Sequence, residues 1–119
     1  MWYLILALAL LSPPESPVEW LQPETVTLED TFQDEAVSYS FKFRNLSRES
    51  LYVDNVRVGC GCTATDWSEE AIAPGMEGSV DVTYDAGVPG FYRKYVKVFF
   101  RGHKGGHKLW MEGFVESAD

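Results

Sequence analysis

The chain has 119 residues, 45% hydrophobic and 14% aromatic, enough for one domain with a real core. A net charge of −8 argues against a general nucleic-acid binder, so nucleic acid is not an expected partner. The charge is uneven: no basic residue precedes Lys42, whereas 86–111 carries Arg93, Lys94, Lys97, Arg101, Lys104 and Lys108 and no acid.

Trp2 to Leu11 is an unbroken apolar run of ten, stopped by Pro13-Pro14. A membrane span takes about 20 residues, whereas roughly 7–15 suit the core of a secretory leader. No Lys or Arg precedes the run, and Pro13 and Pro17 would obstruct cleavage after Ser12 or Ser16. An uncleaved anchor, a misassigned start or a buried N-terminal strand are the competing readings. Residues 1–16 are thus expected to be a leader or anchor and 17–119 the folded domain. No cysteine follows the run to take a lipid. The expected location is periplasmic, secreted or envelope-associated, with membrane contact only through an uncleaved leader.

From there the dominant period is two, with turn residues every 8–12 positions, the rhythm of an all-β sandwich. A weak strand is expected over Thr25 to Phe32, and a clear one where Val37, Tyr39, Phe41 and Phe43 alternate with polar residues. Asn45-Leu46-Ser47 has the form of a glycosylation sequon and reads as part of a polar turn. Leu51 and Val53 face inward, the phase slips at Asp54-Asn55, and Val56, Val58, Cys60 and Cys62 continue the strand. A slip of one residue predicts a β-bulge, because otherwise half the strand would turn its apolar side to water. Pro74-Gly75 is a turn, Val80, Val82 and Tyr84 make the next strand, and Val96, Val98 and Phe100 the one after a loop at 87–90. Gly102 to Gly106 closes a hairpin onto Leu109, Met111, Gly113 and Val115. The expected core joins Phe41, Phe43, Val56, Val58, Val82, Val96, Val98 and Met111.

Val56-Arg57-Val58-Gly59-Cys60-Gly61-Cys62-Thr63, then Trp67 and Ile72-Ala73-Pro74-Gly75, holds the only two cysteines. This order of strand, Cys-Gly-Cys-Thr, Trp, Ile-Ala-Pro-Gly and strand resembles the bacterial domain-of-unknown-function family 1573. The resemblance covers about Val37 to Val115. It implies an immunoglobulin-like two-sheet β-sandwich of about seven antiparallel strands, related to Hydin and major sperm protein domains. The antibody Cys…Trp…Cys spacing is missing.

Cys60 and Cys62 are candidates for redox exchange, for metal binding or for simple burial. On an extended strand they share a face with Cα atoms roughly 6.5–7 Å apart, and a disulfide prefers about 5.5–6 Å. A bridge therefore needs the backbone to fold at Gly61, where glycine allows positive φ. The expectation is two reduced, poorly accessible thiols, or at most a bridge, and no bound metal. His103 and His107 would complete a Cys2His2 set, but in a sandwich they belong to the opposite end and read as solvated turn residues.

Arg93, Tyr95, Lys97, Phe99 and Arg101 share the outward phase of one strand, and Lys108, Trp110, Glu112 and Phe114 that of the next. Interleaved basic and aromatic residues can grip a polymer by charge and stacking. The expectation set against this is that the N-terminal segment around Trp20, with Arg and Lys stems, covers the aromatics, because exposed aromatic stripes of this size are uncommon. No serine elbow, phosphate loop or paired carboxylate is present, so no catalytic residue and no cofactor are expected. The functional expectation is a non-catalytic module for protein or ligand interaction at the cell envelope. A thiol or metal protein and a polymer binder are the alternatives.

Overall fold

A computed structural model describes residues 16–118. The expected leader falls almost wholly outside the described residues. All regular elements in the described part are strands: β1 (Val18–Trp20), β2 (Thr25–Thr27), β3 (Thr31–Phe32), β4 (Val37–Asn45), β5 (Val53–Val58), β6 (Thr63–Trp67), β7 (Glu77–Tyr84), β8 (Gly90–Phe100) and β9 (His107–Glu116). One sheet has the order β1-β4-β7-β6; the other runs β2-β9-β8-β5, with β3 also paired to β9.

The two-sheet sandwich is as expected, with two differences in its strands. Nine strands form in place of about seven, because the Thr25–Phe32 region splits into β2 and β3 and Val18–Trp20 adds an edge strand. The sandwich is also not wholly antiparallel: β2 and β3 both run parallel to β9. A three-residue strand with one buried side chain, Val26, is stabilised by its place on a sheet edge more than by local propensity.

The alternation works as the pattern requires. Phe41, Phe43, Val82, Val96, Val98 and Met111 are all buried, and Leu109, Val115 and Tyr92 join them. The bulge lies where the phase slips: Val53 pairs with Phe100, yet Asn55 already pairs with Phe99. Ala73 to Met76 closes a turn in which Met76 N donates to the Ala73 carbonyl at 3.0 Å. Gly75 occupies φ 79°, the conformation that a type II turn requires at its third position, with proline at the second.

Two expected core residues behave otherwise. Val56 is only half-buried against the core, and Val58 keeps 40% of its surface exposed. Both have the inward phase, but β5 is the edge strand of its sheet and Val58 is its last residue. The expected strand from Val56 to Cys62 stops at Val58: residues 59–62 form a turn that crosses from β5 in one sheet to β6 in the other.

Candidate functional site

The outward face of the five-stranded sheet collects aromatic and basic side chains from neighbouring strands. Cross-strand register sets Arg93 opposite Glu112, Tyr95 opposite Trp110, Lys97 opposite Lys108 and Phe91 opposite Phe114. Directly opposed residues lie within contact distance on one face, so the period-two pattern of both strands becomes a continuous surface. The rings of Tyr95 and Trp110 are 5.1 Å apart. The Arg93 guanidinium sits 3.9 Å over Trp110, Lys108 lies 4.5 Å from the Tyr95 ring centre, and Lys97 lies 5.6 Å from that of Phe99. Glu112 holds this arrangement in place, 3.4 Å from Arg93 Nε and accepting from Thr27 Oγ1 at 3.1 Å.

Gly59 explains how Tyr95 lies flat. A Cβ at that position would come within 2.6 Å of the Tyr95 ring, so only glycine lets the ring rest on the backbone there.

Arg93, Tyr95, Lys97, Phe99, Trp110 and Phe114 are thus brought together. Arg101 is not: it lies in the hairpin turn beyond β8, with its guanidinium 4.4 Å over Tyr52. Three residues extend the face beyond the sequence reading. Arg57 on β5 stands 5.0 Å from the Phe99 ring centre. Phe91 is 67% exposed and continues the outward phase of β8 one step back, a signal present in the sequence. Phe32, 52% exposed, reaches the same end through the parallel β3–β9 pairing, which no local pattern announces.

The expectation that the segment around Trp20 covers these aromatics is corrected. Trp20 packs on the inner side, against Phe43 and Phe100 at ring distances of 5.4 and 6.3 Å. Its indole Nε1 donates to His107 Nδ1 at 3.2 Å. His107 is therefore a half-buried link between the two sheets, not a solvated turn residue as expected. Burial lowers its pKa from 6.5; Glu24 opposes the shift and His103 adds to it. His103 itself is exposed in the hairpin turn.

Cys60 and Cys62 form a disulfide, the second of the two outcomes expected, in place of two reduced thiols. Their Cα atoms are 5.4 Å apart, because they lie in the turn 59–62 and not on an extended strand. The turn is made without positive φ at Gly61, contrary to the sequence reading. Cys62 N donates to Cys60 Sγ at 3.1 Å, and Thr63 N to the Cys60 carbonyl at 3.3 Å. In the chain-entropy relation a three-residue ring contributes only about 1.6 kcal/mol, a third of the ~4.7 for a 100-residue loop. The bridge is a weak staple. The histidines lie at the other end of β5: Gly59 N bonds the Tyr95 carbonyl, whereas Val53 pairs with Phe100, the last residue before the histidine turn.

Cys62 lines a cleft of about 360 Å³ with Tyr84, Asp85, Phe91, Tyr92 and Lys94. Tyr84 and Tyr92 stack at 4.5 Å, and burial raises both phenol pKa values, with Asp85 adding to Tyr84 and with Tyr84 and Asp30 adding to Tyr92. Both phenols stay protonated near neutral pH.

The fold has solved counterparts. An ASH/PapD-like domain of human CEP192 superposes with a TM-score of 0.69 at 13% identity, over 91% of each chain. A Porphyromonas gingivalis protein of unknown function gives 0.68 at 11% identity, covering 82% of this chain and 46% of its own. The present chain therefore spans just under half the length of that protein. WR4, a major sperm protein family member of Caenorhabditis elegans, gives 0.53 at 8% identity, over 85% of this chain and 99% of its own. At such identities these matches establish an immunoglobulin-like fold alone. No curated protein matches by sequence. The model of one family, described as protein of unknown function (DUF1573), matches residues 20–115, and the chain belongs to that family.

Proposed function

We propose that this chain is a non-catalytic interaction module of the bacterial cell envelope, binding an acidic protein segment through the outward face of its five-stranded sheet. One observation carries the reading: Arg57, Arg93, Lys97 and Lys108 are all engaged with exposed or half-exposed aromatic rings on a single face of a chain whose net charge is −8. Cations held over aromatic faces are pre-ordered, so less side-chain entropy is lost when an acidic partner arrives. The apolar end, Phe32, Phe91 and Phe114, supplies exposed apolar contact area, and tryptophan, tyrosine and arginine, present here as Trp110, Tyr95, Arg57 and Arg93, are the types that dominate binding energy at interfaces.

Two features support an exported location. Trp2 to Leu11 has the length of a secretory core, and disulfides persist in oxidising compartments. The nearest acid to Arg93 is already its partner, and no nucleophile with a positioned base lies on the face, which supports binding in place of catalysis.

The test places a photo-crosslinking amino acid at position 91 of the full chain in cells, with position 40 on the opposite sheet as control. Protein adducts of defined mass are expected from 91, weakened by added salt and lost in Arg93→Glu. Equal labelling from both positions, adducts insensitive to Arg93→Glu, or adducts only to glycan would each defeat the proposal.

A further inference from the structure

We propose that Cys60–Cys62 is an exchangeable disulfide that accepts two electrons from a dithiol, with Cys62 the sulfur attacked and Cys60 the sulfur expelled. It stands apart from the sheet-face reading. Three observations assign it. The bridge spans only one intervening residue, so it adds little to the fold. A Cβ at Gly61 would meet nothing within 4 Å beyond its two chain neighbours, so the turn is open on that side. Cys62 lines the cleft beside Phe91, Asp85 and Lys94, and also a shallow depression of about 200 Å³ with Ala36 and Thr83 that shares Asp85.

The roles follow from the hydrogen bond. Cys62 N–H points at Cys60 Sγ, 3.1 Å away, and a donated hydrogen bond favours a sulfur that carries charge. The sulfur with the more stable thiolate leaves faster. A thiolate entering the cleft attacks Cys62 Sγ; the Cys60–Cys62 bond breaks, and the electron pair stays on Cys60. The mixed disulfide now joins Cys62 to the incoming thiol. The second thiol of the dithiol attacks its own partner sulfur and expels Cys62 as a thiolate. The two protons of the dithiol end on Cys60 and Cys62. The dithiol is oxidised to a disulfide and the turn is reduced, with two electrons transferred. Lys94, a cation lining the same cleft, assists approach of the thiolate.

The experiment uses the full oxidised chain and dithiothreitol in native buffer, with alkylation and mass spectrometry as readout. Reduction is expected at a rate within about tenfold of that in denaturant, as for an accessible bridge. The reduced chain and Cys60→Ala/Cys62→Ala should retain the native near-ultraviolet spectrum. Excess glutathione, quenched with acid, should place the mixed disulfide on Cys62 over Cys60 by about tenfold, and fragment ions across Gly61 distinguish the two. Reduction that proceeds only in denaturant, or loss of the native spectrum on reduction, makes the bridge structural and overturns the proposal. Adduct mainly on Cys60 overturns the assignment of roles.

Discussion

Asn45 shows how much one side chain holds at a loop. It is 1% exposed, at the end of β4, and all its polar atoms are used. Its Nδ2 donates to the Glu49 and Ile72 carbonyls at 2.8 and 2.9 Å, and Oδ1 accepts from Ser47 N and Ser47 Oγ at 2.9 and 2.7 Å. The sequon reading of Asn-Leu-Ser as a turn is right in position but understates the residue. A buried amide with four hydrogen bonds ties the 46–49 turn to the segment between β6 and β7. Asn45→Ala should lower stability by roughly 1–3 kcal/mol in urea denaturation, because it leaves buried carbonyls unpaired. Asn45→Asp should cost as much or more, since a carboxylate would face two carbonyl oxygens. Alternation along β4 carries the inward phase to Asn45, but nothing local supplies its partners; the Ile72 carbonyl lies 27 residues away.

At the scale of elements, β5 and β6 carry the instructive difference. Val56, Val58, Cys60 and Cys62 keep period two without a break, so alternation alone reads a single strand. The structure ends β5 at Val58 and puts Cys60 and Cys62 in the turn that leads to β6, and a turn of even phase leaves the same pattern. Only the pairings separate them: β5 with β8, and β6 with β7. The distinction has a measurable consequence. Val58→Thr should change stability by no more than about 0.5 kcal/mol, because the residue lies at an exposed edge. Phe43→Ala, wholly buried in a central strand and in edge contact with Phe100 at 5.2 Å, should cost roughly 3–5 kcal/mol. Comparable losses from both variants in chemical denaturation would contradict the edge assignment. The β8–β9 hairpin, by contrast, was legible from the chain alone. Its inward and outward sets are contiguous in sequence, and Gly102 to Gly106 marks the reversal.

For the molecule as a whole, the closure of the two sheets passes through Trp20 and His107. The indole N–H needs a lone pair on Nδ1, so protonation of the ring removes the acceptor as well as placing charge in a half-buried site. The folded pKa is lowered from 6.5, so between the two values the unfolded chain binds more protons. Stability therefore rises with pH through that window. This contribution is complete above about pH 6.5 and is lost as pH falls through the folded pKa. The urea midpoint should drop between about pH 7.5 and about pH 5, and His107→Ala should reduce that difference. An unchanged pH profile in the variant would show that the link does not titrate.

Residue alternation is enough to read the all-β class, the sandwich, the bulge at Asp54-Asn55 and the two phases of β8 and β9. Each of these rests on the period-two geometry of a strand, which places alternate side chains on opposite faces whatever the partner. The sequence also locates the cysteine pair and most of the basic and aromatic face. The folded arrangement of strands is what sets β2 and β3 parallel to β9, brings Phe32 and Arg57 to the face and turns Trp20 inward to His107. It alone placed Cys60 and Cys62 in a crossing turn close enough to bond. Those outcomes depend on which strands become neighbours across long stretches of chain. Neighbour choice follows from how the whole apolar surface is best covered, a condition that no local pattern contains.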